Sequence, residues 1–343
     1  MPTKIDISRA VKSDLPIIDV RSPAEYEKGH IPKAVNIPLF TNQERAQIGT
    51  VYKQESAAAA IALGTRLVQP KLQHFVKRSF EVAPQGRTIV HCWRGGMRSE
   101  GFANHIGSHG FNEVLVIEKG YKAFRRLALK QFSQPYNLFI LGGFTGSGKT
   151  EILKGLAEKN LQVIDLEGLA RHKGSAFGAL GNTKQPTVEQ FENELFTELM
   201  NINPHKPLWL EDESHNIGKV KIPDGLFQQI SNAPLLFLDI PKEERARFLA
   251  QAYAQSGSLQ LAESMKRISK RLGGLRTQQA LDYLEKQDYY QAALIALQYY
   301  DKYYEKGLEN HPPDQVKRLP LYTTKHLQNA QYILKNTTIP WKK

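Results

Sequence analysis

Cysteine occurs once in the 343 residues, at Cys92, which excludes an internal disulfide framework and any multi-thiolate zinc or iron–sulfur centre. Long apolar runs are missing as well. No stretch approaches the ~20 residues that a bilayer-spanning helix requires, so no membrane partner is expected. Residues 1–9 carry charges at Lys4, Asp6 and Arg9 with no apolar run behind them, unlike a secretory signal, and the expected location is cytoplasmic. No internal repeat is visible, and the one low-complexity tract is Ala57 to Ala60. Acidic residues are in deficit: 46 Lys and Arg face 34 Asp and Glu, a net charge of +12. That excess suits a polyanionic partner such as nucleic acid, although a merely soluble basic surface would show it too. With 41% hydrophobic residues, the chain can fill the cores of two or three domains and is not a disordered polymer.

Residues 16–40 hold two β-branched runs around a turn opened by Ser22 with Glu25 three residues on, which predicts strand, capped short helix, strand. A helical stretch over 54–77 precedes strands expected at 87–91 and 113–117. A second series begins with an apolar run at 138–141 and continues at 161–164, 208–210 and 235–240. Its last three runs end in Asp165, Glu211 and Asp239. Strands alternating with helices predict α/β layers with mostly parallel sheets, whose carboxyl ends present the ligand site. From about Ser256 the strand signals stop, and 259–307 reads as helix broken at Gly273-Gly274. The expected division is 1–130, 136–255 and a helical basic region at 256–343. Residues 261–343 hold 14 Lys and Arg against 8 Asp and Glu, and nine of the 14 tyrosines. Tyrosines among lysines would stack bases while phosphates are neutralised; at helical spacing they would equally pack into a core.

Residues 91–99, His-Cys-Trp-Arg-Gly-Gly-Met-Arg-Ser, follow a strand directly. A lone cysteine is ordinarily inert and buried. Here two glycines let backbone N–H groups turn toward the sulfur, Arg94 and Arg98 add positive charge, and a helix expected from Ser99 adds its dipole. All three favour the thiolate. Cys92, Arg94 and Arg98 are therefore the candidate catalytic group.

Residues 18–38, Ile-Asp-Val-Arg-Ser-Pro-Ala-Glu-Tyr-Glu-Lys-Gly-His-Ile-Pro-Lys-Ala-Val-Asn-Ile-Pro, resemble the leading motif of rhodanese domains. Cys92 then stands where that family keeps its nucleophile. The resemblance implies a cysteine that carries sulfur or selenium as a persulfide-type adduct, with Asp19 and Arg21 as scaffold. Sulfurtransferase loops are commonly one residue shorter. The spacing from Cys92 to Arg98 also matches rhodanese-fold phosphatases, so the loop alone leaves chalcogen transfer and phosphate-ester hydrolysis both open.

Gly143-Phe144-Thr145-Gly146-Ser147-Gly148-Lys149-Thr150 fits G-x-x-x-x-G-K-[ST] between a predicted strand and a predicted helix. The glycines admit a diphosphate to the backbone, the helix N-terminus points N–H groups at it, Lys149 adds charge and Thr150 can hold Mg²⁺. What the motif identifies is a diphosphate, not specifically ATP. Asp165 and the Glu211-Asp212-Glu213 cluster are candidates for a carboxylate behind Mg²⁺, with Asp239 third, although each would also serve as an exposed acidic turn. Residues 166–175, including Arg171, His172 and Lys173, read as a solvated loop or a lid.

A rhodanese-like domain, a P-loop domain and a basic helical tail in this order resemble the bacterial tRNA 2-selenouridine synthase family over nearly the whole chain. Residues 91–99, 143–150, 165–175, 209–213 and 271–274 carry the similarity, and the longer cysteine loop is typical of that family. The resemblance implies a transferase acting on the wobble uridine of tRNA. Its 2-thio group is S-geranylated with geranyl diphosphate, and selenium from selenophosphate then replaces the geranylthio group. Selenophosphate synthetase is the implied supplier, and no tightly bound cofactor is implied beyond optional Mg²⁺. On this reading the 143–150 loop holds the prenyl donor's diphosphate and Cys92 takes a selenium adduct. The tRNA lies along Lys266, Arg267, Lys270, Arg271 and Arg276. The alternatives are a rhodanese-fold phosphatase, another sulfurtransferase, or a non-catalytic RNA-binding sensor with Cys92 as a redox switch.

Overall fold

A computed structural model describes residues 2–172, 184–254, 258–309 and 311–336. The contacts fall into two compact units: Met1–Gln131 with Glu192–Thr197, and Phe132–Phe191 with Glu198–Lys343.

The first unit runs β1 (Thr3–Ile5), α1 (Ile7–Ala10), β2 (Ile17–Asp19), α2 (Pro23–Lys28), β3 (Val35–Asn36), α3 (Asn42–Gln54), α4 (Ala57–Val68), α5 (Leu72–Val82), β4 (Arg87–His91), α6 (Met97–Gly107), β5 (Glu113–Ile117) and α7 (Gly120–Gln131). Its strands form a parallel sheet in the order β1-β5-β4-β2-β3. Central β4 is buried from Thr88 to His91, as expected of a parallel strand covered on both faces. The capping box read at Ser22 is formed, with the Ser22 N–H donating to Glu25 Oε2 at 3.2 Å. The helical stretch expected over 54–77 is instead three helices that begin at Asn42. Two further N-caps decide this: Thr41 and Glu44 bond reciprocally, and the Ser56 hydroxyl accepts from the Ala59 N–H at 3.0 Å.

The second unit runs β6 (Leu138–Gly143), α8 (Lys149–Ala157), β7 (Gln162–Val163), α9 (Leu166–Ala170), α10 (Val188–Met200), β8 (Leu208–Glu211), a hairpin of β9 (Asn216–Ile217) and β10 (Val220–Lys221), α11 (Asp224–Ser231) and β11 (Leu235–Asp239). Helices α12 (Lys242–Ala254), α13 (Ser258–Arg267), α14 (Ser269–Leu272), α15 (Gly274–Glu285) and α16 (Tyr289–Leu308) follow, then β12 (Val316–Pro320) and α17 (His326–Asn336). The expected break falls at Gly273, whose φ is +92°. Residues 255–257, where the sequence suggested a boundary, and Lys173 to Ser175 of the predicted loop or lid lie outside the described residues.

One expectation is overturned. Strand signals do not end near Ser256, because β12 pairs in parallel with β11 from Val316 opposite Leu235 to Pro320 opposite Asp239. The sheet order is β12-β11-β6-β8-β7. Val-Lys-Arg-Leu-Pro lacks an apolar run, and two adjacent charges and a terminal proline are tolerable only at a sheet edge. Helix α17 then places Ala330 and Ile333 among Ile152, Leu156 and Leu319. The C-terminal segment thus completes the second unit's sheet as well as adding its helical cluster around Leu261, Met265, Ala293 and Leu297.

Candidate functional site

At the end of β4 the chain turns through residues 92–96 into α6, which begins at Met97, two residues earlier than expected. Arg98 therefore lies in the first helical turn. Gly95 has φ +63°, and a Cβ there would sit 2.2 Å from the Ile117 carbonyl oxygen, so only glycine lets the loop lie this close to β5. The Tyr121 and Lys122 N–H groups donate to the Cys92 and Trp93 carbonyls at 2.9 and 3.0 Å, holding the loop from the side of α7.

Cys92 is 3% exposed. Its Sγ lies 3.3 Å from Ser99 Oγ, whose hydroxyl donates to the Gly96 carbonyl at 3.0 Å. A hydroxyl has one proton to give. With a neutral thiol Ser99 serves Gly96 and accepts from S–H; with a thiolate it turns to donate to sulfur. Burial pushes the thiol up, but the Ser99 hydroxyl, the charge of Arg98 and backbone N–H groups at Arg94 and Ser99 outweigh it. The net result lies below an ordinary cysteine. Arg98 is half-buried and donates to Glu25 Oε2 at 3.2 Å, with Arg45 3.6 Å from the same oxygen; Arg94 is exposed. Glu25 is held below the ordinary carboxylate range because Arg98, the Ser22 backbone and Arg45 outweigh its burial. Below the loop, buried Arg21 grips both Asp19 oxygens and the Gly29 carbonyl, and His91 lies 3.7 Å from Asp19. These groups brace the strand ends and do not reach the sulfur. The loop opens onto a cavity of about 1550 Å³ bounded by α3 and α4.

In the second unit β6 runs into the 143–150 loop, with Gly148 left-handed at φ +69° as the N-cap of α8. Lys149 Nζ donates to the Gly143 carbonyl at 3.0 Å and lies 5.4 Å from the Tyr304 ring centre. Its ammonium is favoured, since Tyr304, Glu213, Glu167 and Glu211 together outweigh burial. Gly143, Thr145, Gly146, Ser147 and Gly148 lie along the turn, and the Ser147 hydroxyl is buried without a partner. Arg245 clamps the loop from α12, donating to the Thr145 carbonyl and bidentately to Asp301.

The predicted acidic residues divide. Asp165 caps α9, accepting from the Gly168 N–H at 2.6 Å, and Asp239 is 3.6 Å from Arg318. Asp212 lies 3.9 Å from His311, and burial raises its carboxyl despite the opposing charges of His311 and Lys149. Glu211 is fully buried. Burial first, then Glu167 and Asp165, push it up to about 8, with Thr150 and Lys149 opposing. Glu213 is raised well above its ordinary value for similar reasons. Among the described residues, Glu167, Glu211 and Glu213 bring one carboxylate oxygen each within 4.8 Å of the others, and the Thr150 hydroxyl donates to Glu167 at 3.1 Å. Three carboxylates gathered beside a hydroxyl are a donor set suited to a hard divalent cation.

Lys266, Arg267, Lys270, Arg271 and Arg276 are all exposed on α13, α14 and α15, with Arg271 donating to the Tyr299 hydroxyl at 2.9 Å. Most clustered tyrosines turn inward: Tyr300 is buried, and Tyr289, Tyr290, Tyr299 and Tyr304 pack against the same helical core. Tyr303 and Tyr322 are exposed. The sequence reading missed three contributors. Glu25 was concealed by its capping role, Glu167 stood two residues past the favoured Asp165, and Tyr304 has no local signal at all. The Ser99 side chain was legible only as the residue after Arg98.

A cysteine loop at the carboxyl end of a parallel strand, and a phosphate loop heading a second parallel sheet, define a two-domain α/β transferase. Family comparison agrees: residues 6–127 match the rhodanese-like domain, and 136–323 match the tRNA 2-selenouridine synthase AAA domain. The chain is 35% identical over 368 residues to the tRNA 2-selenouridine synthase of Salmonella agona, covering 95% of this chain and 98% of that one. It is 36% identical over 299 residues to that of a Sulfurovum species, covering 80% of each. The chain belongs to the tRNA 2-selenouridine synthase family, enzymes of tRNA modification.

Proposed function

We propose that this protein converts 2-thiouridine at the wobble position of tRNA into 2-selenouridine in two stages. First the thio sulfur attacks C1 of geranyl diphosphate: an S–C bond forms, the C–O bond breaks, the electron pair leaves on the diphosphate, and the N3 proton of the base passes to solvent. The 143–150 loop holds that diphosphate, with Lys149 against the departing charge. Glu167, Glu211, Glu213 and Thr150 fit a Mg²⁺ ion, which when bound would neutralise the same charge. Alkylation makes the sulfur a better leaving group, so selenium can displace the geranylthio group at C2. Arg94 and Arg98 hold the selenophosphate oxyanion, with Glu25 orienting Arg98, while the Cys92 thiolate attacks phosphorus: an S–P bond forms, the P–Se bond breaks and selenide leaves. Selenide attacks C2, the C–Se bond forms as the C–S bond breaks, geranylthiolate departs, and water then hydrolyses the S–P bond to phosphate. Selenophosphate synthetase would supply the donor, and the exposed basic residues of α13 to α15 would engage the tRNA phosphates.

The reading is carried by one observation: a single chain of this family holds a cysteine biased toward thiolate and a separate diphosphate cradle. The test is nucleoside mass spectrometry of tRNA after incubation with the protein, geranyl diphosphate and selenophosphate. Lys149→Ala should lose geranylation, while Cys92→Ser should geranylate and stop there. Selenouridine formed by Cys92→Ser would refute the assignment of Cys92. Tight ATP binding without competition from geranyl diphosphate would refute that of the loop.

A further inference from the structure

The cavity beside Cys92 is larger than its anionic chemistry requires. Drug-sized ligand pockets run from about 300 to 1,000 Å³, and this one measures about 1550 Å³. An oxyanion between Cys92 and Arg98 would leave nearly all of it empty.

One face each of α3 and α4 lines it. On α4, Ala57, Ala60, Ile61, Gly64 and Val68 all line the space, at the spacings that put residues on one helical face. A helix face turned to a core ordinarily carries leucines or phenylalanines; this one carries two alanines and a glycine. The Ala57 to Ala60 tract, without a role in the sequence reading, is part of that wall. On α3, Ala46 and Gly49 line it beside Ile48 and Tyr52. Three large apolar side chains that remain exposed, Tyr52 at 63%, Ile61 at 46% and Met97 at 64%, all line the same cavity. Exposed apolar groups gathered on one concave surface mark a binding site, whereas single ones scattered over a surface do not. The polar lining is cationic: Arg45, Lys53, Arg94 and Arg98 against Glu25 alone among acidic residues.

Hydrocarbon walls, cationic groups and a nucleophile in one cavity describe an occupant that is apolar, anionic and electrophilic at once. We propose that the cavity bounded by α3, α4 and the Cys92 loop binds the isoprenoid chain of an S-alkylated 2-thiouridine in RNA, presenting C2 of the base to the Cys92 side. This rests on the two-stage reading above and assigns the hydrocarbon to the first unit, whereas the 143–150 loop belongs to the second. The chain's grip would then serve selenium transfer: a longer chain holds the base at Cys92 until the geranylthio group departs.

The test uses the full protein, selenophosphate and anticodon stem-loop RNAs bearing S-methyl, S-dimethylallyl or S-geranyl 2-thiouridine. Burying one methylene is worth about a fourfold change in affinity, so KM for selenation should fall steeply along the series. Ile61→Glu and Ala46→Glu, both at solvent-accessible positions, should lower the geranyl-to-methyl ratio of kcat/KM at least ~10-fold. Equal KM values along the series, or a ratio unmoved in both variants, would overturn the proposal. A second measurement separates it from the function on which it rests. S-geranyl-2-thiouridine should protect Cys92 from iodoacetamide in the parent protein and not in Ile61→Glu. If the parent makes no selenouridine but shows that pattern, the two-stage reading fails and the cavity assignment stands. Equal protection by decanoate would reassign the cavity to a free lipid and overturn it.

Discussion

The cysteine loop and the phosphate loop use one backbone device for opposite electrostatic ends. Each leaves the carboxyl end of a central parallel strand, turns through glycines with positive φ, and enters a helix whose N-terminus faces the turn. Around Cys92 the resident group is the anion. Ser99, Arg98 and the backbone N–H groups hold the thiol below its ordinary range, so the first loop carries its charge within itself. Around Lys149 the arrangement is reversed. Glu211 and Glu213 are raised by burial first and then by Glu167, and the hydroxyl of Ser147 is buried with no hydrogen-bond partner among the described residues. There the resident charge is the Lys149 ammonium, favoured by Tyr304, Glu213, Glu167 and Glu211.

The largest effect that would sharpen this contrast is Cys92→Ser, which removes the nucleophile. Selenium incorporation, read by nucleoside mass spectrometry, should fall by a factor on the order of 10³ or more while geranylation persists. Lys149→Ala should weaken geranyl diphosphate binding about 10- to 100-fold, the loss of a charge-assisted contact, in calorimetric titration. Ser99→Ala should move the pH midpoint of Cys92 alkylation upward, because the thiolate loses its hydroxyl donor. A midpoint unmoved or lowered would show that Arg98 and the backbone suffice.

Glu211 gives the reverse test. Its folded-state value of about 8 lies above the ordinary 4.5. Its contribution to stability is therefore complete below the ordinary carboxylate range and lost as pH rises through about 8. Glu211→Gln should raise Tm at pH 8 by about 2–4 °C, the shift expected from 1 kcal/mol in a unit of this size, with no gain at pH 4. Mg²⁺ should raise the Tm of the parent more at pH 8 than at pH 5 and do little for the variant. The smallest effect is expected from Lys270→Ala, which should reduce the salt dependence of tRNA binding by about one unit of slope. A salt-independent affinity would break the assignment of the basic helices.

Most central strands and both loops were legible because their signals are local. Buried parallel strands read as continuous apolar runs, and the loops need glycines, a lysine or a cysteine at fixed spacing. Of the four edge strands, β3 and β7 fell in expected runs, whereas β1 and β12 gave no such signal: they are short or charged and are strands only because a neighbour offers them a ladder. The carboxylates were legible as a set but not individually. Asp165 and Asp239 end apolar runs just as Glu211 does, yet helix capping and Arg318 occupy them. Glu211 faces Lys149 for reasons of register between β6 and β8. The tyrosine pairs divided too, with Tyr300 and Tyr304 going to packing and to the Lys149 neighbourhood.

Local residue order fixed the chemistry on offer: one thiol flanked by arginines and glycines, one lysine behind a glycine turn, and a surplus of positive charge. Tertiary structure decided which groups act on which. It set Ser99 and Glu25 around the sulfur, gathered Glu167, Glu211 and Glu213 from separate elements, and turned one face each of α3 and α4 to the cavity beside Cys92. A thiolate, a metal-ready carboxylate cluster and a hydrocarbon-lined cavity all depend on distances between residues remote in the chain, and only packing sets those distances.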